Sequence, residues 1–467
     1  MQAAEPALSL IRLPVLQEQT ACFITRKYQT MIISKSPVGK YLLGIDLSDQ
    51  YCQISWIYNK RARFGRGFIN AATGGVSREP VTFSTVSGRE IFNIPAVLYK
   101  PEDSAVWAVG QEAVELAEEG GGTPVSGLLQ KAREDVRISV EGEKYSAGLL
   151  LALFLRRCLA MLEPEITKDQ IAAVVFTSAD MDYAMEQTLM RAFGRMELDV
   201  PQVLCESHEE SFYSYMLMQD AEQRRAGMLL CDYGQEETIR FSTLLYNRRT
   251  SPVVYWTETE EKRLPGGLTP ANRDREFAAA AKEVLDRRAA SCVYLTGQGF
   301  EGDWLRDAAV YLCRGRRVFQ GENLFSKGAA YSALLHVDRP SEIPESIYLA
   351  PDALHSNIGI EVLLREQTGY HVLLDAGTKW YNAEIEEDFI LENGKEFSLV
   401  QTPVTGGETR SLTVHLDGIP DRPDRTTRIR VLLNMPQPDK LRVQVTDLGF
   451  GEIFPSDGGS WEETFSV

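Results

Sequence analysis

The chain is poor in the residue pairings that usually mark chemistry. Its seven cysteines, at 22, 52, 158, 205, 231, 292 and 313, are scattered, and no two form a C-x-x-C pair. That odd, dispersed count argues against a disulfide framework. Thiols inside apolar strands, such as Cys231 in Leu229-Leu230-Cys231, read as reduced core residues. The five histidines, at 208, 336, 355, 371 and 415, lack metal-ligand spacing. H-E-x-x-H, G-x-S-x-G and the Walker A pattern are all missing, so those three chemistries have no support. The longest apolar run, Leu149 to Leu155, stops at Arg156-Arg157, far short of the roughly 20 residues of a membrane span. Residues 1–30 have no basic start followed by a clean apolar stretch, so no signal peptide is expected. Cations are also scarce: 49 Lys and Arg against 66 Asp and Glu leave a formal charge of −17, spread along the chain. Such a balance disfavours nucleic acid and favours solubility. The expected setting is cytoplasmic, with a protein or peptide partner and no membrane.

What is present fits a globular protein of two or three domains: 467 residues, 44% hydrophobic and 25% charged. Tyr41 to Trp56 alternates about Gly44-Ile45-Asp46 and reads as a strand running into a turn. Ile171 to Phe176 reads as a buried strand, and Met228 to Tyr246 as two strands with a turn. Helices are expected over Gln111 to Glu119, Ser146 to Leu162, Asp182 to Phe193 and Ser207 to Asp220. Gly120-Gly121-Gly122 reads as a flexible helix stop, since no lysine follows at P-loop spacing. Strands alternating with helices imply α/β lobes. After about Pro344 helical periodicity disappears. From Ile358 to Phe454 short alternating strands are separated by Gly, Pro and Asp turns, the pattern of a sandwich of roughly a hundred residues. The spans expected are an extension over 1–40, one α/β lobe over 41–225 and a second over 226–343. A linker over 344–356, a β-sandwich over 357–460 and a tail over 461–467 complete them.

The order of motifs resembles the seventy-kilodalton heat-shock (DnaK-type) chaperones of the actin-like ATPase superfamily, from about residue 41 to 456. Gly44-Ile45-Asp46-Leu47-Ser48 resembles that family's first phosphate loop, and Cys231-Asp232-Tyr233-Gly234 its second. Cys205-Glu206-Ser207 falls where the family has Asn-Glu-Pro. Val293-Tyr294-Leu295-Thr296-Gly297 is similar to the adenosine turn, and Lys327 to Ser332 to the closing helix. Ile358-Gly359-Ile360-Glu361, His415 to Pro420 and Val443 to Asp447 follow in family order within the β-region. The resemblance implies a two-lobed actin-like (ribonuclease-H-like) fold, α/β, followed by an all-β substrate-binding sandwich.

It also implies where nucleotide would sit. Asp46 and Asp232 would hold Mg²⁺ through water, and Lys131 and Glu206 would be the catalytic pair. Ser48, Asp49, Gln50, Gly234, Gln235, Gly297 and Gln298 would surround the nucleotide. Yet Ser48-Asp49-Gln50 stands where the family has Gly-Thr-Thr, and Gly234-Gln235-Glu236-Glu237 where it has Gly-Gly-Gly-Thr. Glu236 and Glu237 are expected to point toward the phosphates. At ~4 Å and an effective dielectric of about 20, each like-charge contact would cost about 4 kcal/mol unless a cation intervenes. After Leu264-Pro265-Gly266-Gly267 a single helix, about Asp274 to Arg288, leads straight to the strand at Cys292, leaving no residues for the family's adenine wall. The family's helical lid is expected to be missing as well. His208, beside Glu209-Glu210 and near the nucleotide site so implied, reads as a helix-surface residue, while Trp380, Tyr381 and Phe389 read as sandwich core, with lining of a peptide pocket as the alternative.

The expectation is therefore a chaperone-like protein with a degenerate nucleotide site. It would be a noncatalytic protein- or peptide-binding module with no cofactor. The alternatives are a divergent Mg-ATP hydrolase and an actin-fold filament component.

Overall fold

Ile171 to Ser178 is apolar or small at nearly every position, and all eight residues are buried. A strand covered on both faces belongs in the middle of a layered α/β arrangement. The computed structural model describes residues 10–12, 40–59, 79–224, 226–234, 237–364, 367–392 and 395–467. These fall into two units. One contains the described residues from Lys40 to Leu245 and Thr257 to Pro344; the other contains Leu10–Arg12, Tyr246–Trp256 and Glu345–Val467. The first is mixed α/β and the second is rich in strands. Among the described residues no helix is long and apolar enough to cross a membrane.

The α/β unit is built on two sheets. In the first, β1 (Tyr41–Leu47) and β2 (Tyr51–Tyr58) form an antiparallel hairpin. Beside β1 lies β3 (Ile171–Ser178) in parallel, and β4 (Gln202–Ser207) lies parallel to β3. In the second, β5 (Gly227–Tyr233) and β6 (Thr238–Asn247) form the hairpin, with β7 (Val253–Arg263) beyond β6. β8 (Ala290–Thr296) runs parallel to β5, and β9 (Arg317–Gln320) parallel to β8. The orders β4-β3-β1-β2 and β9-β8-β5-β6 are the same design twice. No fixed-period repeat in the sequence announces it, because strand order constrains hydrophobicity and not identity.

Helices connect these strands. α1 (Gln111–Glu119), α2 (Leu128–Arg133) and α3 (Ala147–Ala160) precede β3, α4 (Tyr183–Gly194) joins β3 to β4, and α5 (His208–Leu217) follows β4. α6 (Pro270–Arg287) leads to β8, α7 (Asp307–Leu312) to β9, and α8 (Leu324–Val337) comes last. Local chemistry sets the starts. Asp182 accepts the Met185 N–H at 2.8 Å, and Ser207 with Glu210 forms a reciprocal capping box on α5. Helix α8 is apolar nearly all round, and ten of its residues are buried. Two glycines admit it. A Cβ on Gly44 would strike the α8 backbone at Ser326 and Ala330, and one on Gly328 would strike the Ser211 carbonyl of α5.

In the strand-rich unit, β10 (Ser346–Leu349) runs parallel to Val253–Trp256, so the span expected as a linker contains a paired strand. Ile347 and Leu349 pack with Val254 and Ala376. The remaining strands are β11 (Ser356–Leu364), β12 (Gln367–Leu374), β13 (Glu384–Leu391), β14 (Glu396–Pro403), β15 (Arg410–His415), β16 (Thr427–Gln437), β17 (Lys440–Gly449) and β18 (Ser460–Ser466). Their order is β15-β14-β11, then Leu10–Arg12, then β13-β16-β17-β18, with β12 on β11. Thus residues 461–467, expected as a tail, supply most of an edge strand, and Trp461 and Phe465 lie against the core. Leu10–Arg12 is likewise a paired strand inside the expected extension. The core holds Phe389, Phe397, Leu399, Ile429, Leu433 and Val443, and β16 alternates buried with half-buried positions from Thr427 to Met435. Trp380 packs partly buried on that core, while the Tyr381 hydroxyl donates to Asp352 at 3.2 Å.

A buried ion pair braces one end of the strand-rich unit. Arg422 donates to both oxygens of Asp447, at 2.6 and 2.7 Å, and the Gly449 and Asp457 N–H groups bond the same carboxylate. The Arg422 hydrogen bonds hold this carboxyl well below the usual range, despite the opposing cost of burial.

Two stability outcomes follow from this packing. Gly44→Ala should cost about 2–3 kcal/mol, because backbone and not a movable side chain blocks the new methyl. Urea unfolding of the full chain measures it, and an unchanged midpoint would contradict the close crossing. Arg422→Ala should cost about 3–5 kcal/mol by leaving Asp447 buried and unpaired. A loss below about 1 kcal/mol by the same measurement would place that pair among ordinary surface bridges.

Candidate functional site

The duplicated strand order puts two carboxylates in equivalent places. Asp46 on β1 is in register with Thr177 of β3 and Gln53 of β2. Asp232 on β5 is in register with Thr296 of β8 and Arg240 of β6. A cleft of about 290 Å³ lies at these strand ends. The first hairpin contributes Ser48, Gln50, Tyr51 and Gln53 to its wall; the second sheet contributes Asp232, Gly234, Thr296, Gly297 and Gln298. His208, Phe325, Asn93 and Glu322 complete the parts that matter here.

Asp46 is only 1% exposed and is engaged on both oxygens. His208 Nε2 lies 2.8 Å from Oδ1, and the Tyr51 hydroxyl donates to Oδ2 at 3.1 Å. The imidazole stacks on Phe325 with ring centroids 3.6 Å apart. Burial disfavours the charged imidazole, but the Asp46 charge and hydrogen bond, with Asp232 behind them, outweigh it and raise the His208 pKa. Burial likewise pushes the Tyr51 phenol far up, with Asp46 and Asp232 adding to the shift. Tyr51 is therefore a neutral donor, whereas His208 meets Asp46 through Nε2 alone, its Nδ1 being buried without a hydrogen-bond partner.

Asp232 differs. Its side chain is partly open to the cleft, yet its surroundings are dense enough that desolvation pushes its pKa up to about 6. His208 and Arg240 pull it down, and Asp46 and Glu209 push it further up. Gln53 fixes the floor of the cleft, its amide donating to Asn93 Oδ1 at 2.7 Å and the Glu322 carbonyl at 3.1 Å. Gly297 sits at φ +97°, and a Cβ there would strike the Tyr233 carbonyl and the Asp232 carboxylate, so the turn rests directly on the end of β5. Behind it Tyr233, Phe300 and Trp304 pack edge to face and face to face, with ring centroids 5.6–6.2 Å apart.

Ser48, Gln50, Gly234, Gly297, Gln298 and Asp232 thus meet in one cleft, with Asp46 beneath it. Several other residues named from the sequence are used elsewhere. Asp49, expected beside the phosphates, accepts the Leu129 and Gln130 N–H groups at 2.9 and 3.1 Å and so caps α2. Ser48 Oγ accepts the Gln50 and Tyr51 N–H groups of its own turn, at 3.2 and 3.1 Å. Lys131 does not line the cleft; its amine donates to the Ser126 carbonyl at 2.6 Å. Glu206 accepts hydroxyl hydrogen bonds from Ser211 and Ser332, each at 2.6 Å, which ties α5 and α8 to the end of β4. Glu237 lies against Gly266 instead of lining the cleft. Gln235 and Glu236 lie outside the described residues.

The sequence reading missed His208, Tyr51 and Gln53. His208 was expected on a helix surface, but it occupies the first turn of α5, which starts at the cleft, and is buried. The available signal was its place two residues after Glu206, directly behind a strand-end carboxylate.

The raised pKa of Asp232 sets a pH dependence. The folded state holds this proton more tightly than the unfolded chain, so stability falls as pH rises from about 4 through about 6. His208, also raised, contributes with the same sign. Asp232→Asn should therefore stabilise the chain at pH 8, by at most about 3 kcal/mol, and have almost no effect near pH 4. Thermal unfolding of both proteins across that range tests this, and a pH-independent difference would contradict the assignment.

Comparison with known proteins gives a family without an activity. Residues 353–467 match a family model described as "Domain of unknown function (DUF8552)". Residues 79–350 match one described as "Family of unknown function (DUF5716) C-terminal". No curated protein matches the chain. Since the match over 79–350 covers more than half of the 467 residues, the chain belongs to the DUF5716 family.

Proposed function

We propose that this chain is a noncatalytic relative of the heat-shock chaperones: two actin-like lobes serve as a scaffold, and the strand-rich unit binds a protein or peptide. The duplicated strand order, with a carboxylate at the same register in each sheet, supports the actin-like reading. The four-and-four division of β11, β12, β14, β15 and β13, β16, β17, β18 supports a sandwich of the chaperone type.

The internal bonding of Asp46 carries the noncatalytic part. A strand-end carboxylate that orients hydrated Mg²⁺ must offer an oxygen to a water of the metal's shell. Here one oxygen meets His208 and the other Tyr51. The imidazole and the phenol thus stand where waters of a metal's shell would need to bond. The residues present therefore do not fit a magnesium nucleotide: Asp49 and Ser48 are spent on caps and turns, and Lys131 and Glu206 are tied elsewhere. Phosphoryl-transfer catalysis depends on donors aligned with the developing charge, and among the described residues Ser48, Asp49, Lys131 and Glu206 are already engaged elsewhere.

Isothermal calorimetry of the purified chain with MgATP and MgADP tests this. The expected result is no saturable heat below about 1 mM, roughly the −4 kcal/mol limit of weak association. Micromolar binding abolished by Asp46→Ala would falsify the reading and return the protein to the ATPases.

A further inference from the structure

β11 and β13 do not pair with each other. Between them is a slot one strand wide, and Leu10–Arg12 lies in it, parallel to β11 and antiparallel to β13. Leu10 is in register with Val362 and Leu391, Ile11 with Leu363 and Ile390, and Arg12 with Phe389. Neighbouring strands lie about 4.8 Å apart, so the flanking strands stand about 10 Å from each other, too far for direct hydrogen bonds. If the slot were empty, two rows of backbone N–H and C=O groups would face each other unsatisfied. Exposed strand edges of that kind recruit extended chain. Val362 and Leu391, the strand neighbours in register with position 10, are 1% and 3% exposed.

We propose that this slot is a strand-capture site and that Leu10-Ile11-Arg12 of the same chain is its resident ligand. A partner's extended segment then binds only by displacing it. This rests on the reading above that the strand-rich unit takes peptides, and it adds a regulator. A tethered ligand acts at an effective concentration on the order of millimolar, so a free peptide of equal affinity at micromolar concentration competes at a disadvantage of about a hundredfold or more.

The test uses the full chain and a fluorescently labelled peptide with the sequence of residues 8–15, read by anisotropy. The Leu10→Asp variant, which weakens the resident strand, should bind the peptide at least tenfold more tightly than the unaltered protein. Equal, measurable binding to both would overturn resident occupancy while leaving peptide binding intact. No binding to either would sink the peptide-binding reading together with this proposal. Amide exchange gives a second measurement: Val362 and Leu391 should be protected in the unaltered chain and less so in Leu10→Asp, and no difference would count against occupancy. A concentration-dependent dimer that Leu10→Asp dissolves would assign the resident strand to a second copy and overturn the same-chain claim.

Discussion

A carboxylate that is 1% exposed cannot stay charged without partners, and the architecture around Asp46 follows from that demand. One partner, His208, must come from the first turn of α5, so α5 has to begin at the end of β4, beside β1. The other, Tyr51, must come back from the β1–β2 hairpin. Phe325 at the start of α8 lies flat on the imidazole, which requires α8 to cross β1 closely. Gly44 and Gly328 make that crossing possible. Glu206 then joins α5 and α8 by a hydroxyl on each oxygen. One buried charge thus organises a hairpin, two helices and two strand ends.

This arrangement gives the cleft an unusual balance. Two carboxylates at equivalent strand ends would repel each other across a site open to a metal. Here a histidine stands in the first sheet's half, and Arg240 is the charged neighbour in the second sheet's half. Asp232 carries a raised pKa, chiefly from desolvation and further from Asp46 and Glu209, which His208 and Arg240 only partly offset. The cleft is also lined by the amides of Gln50, Gln53, Asn93 and Gln298, of which Gln53 and Asn93 are hydrogen-bonded to each other. On the proposed reading it is a brace between lobes that no longer need to open and close.

The strand-rich unit depends on a different constraint, the satisfaction of backbone hydrogen bonds. Its two four-stranded halves leave β11 and β13 unpaired toward each other, and Leu10–Arg12 lies between them. At the far edges the demand is met by side chains. Glu463 accepts the His415 N–H at 3.0 Å, and Trp461 Nε1 donates to the Asp417 carbonyl at 2.7 Å. Residues 461–467 belong to a strand edge and not a tail because β18 pairs antiparallel with β17 along its whole length and Val467 N–H bonds the Asp439 carbonyl.

Much of this was legible in the residues themselves. Hydrophobic periodicity located a strand over Ile171 to Phe176, a helix over Ser146 to Leu162 and the alternating strands from Ile358 onward, because burial of one face or two is written in local spacing. The strand-end aspartates, Asp46 and Asp232, were picked out by the resemblance of their motifs to the chaperone phosphate loops and not by spacing. What local spacing does not encode is which partner a polar residue chooses at long range. Asp49 capping α2, Glu206 tying α5 to α8, and His208 reaching Asp46 from 162 positions away are decisions of packing. So is the strand at Leu10–Arg12, whose partners lie some 350 to 380 residues further along. The sequence by itself determined the elements and the charges they carry. Only the tertiary structure decided which charges meet, because a buried carboxylate is stabilised by whichever donor the fold brings within about 3 Å, and that distance is set by the crossing of helices and not by the order of residues.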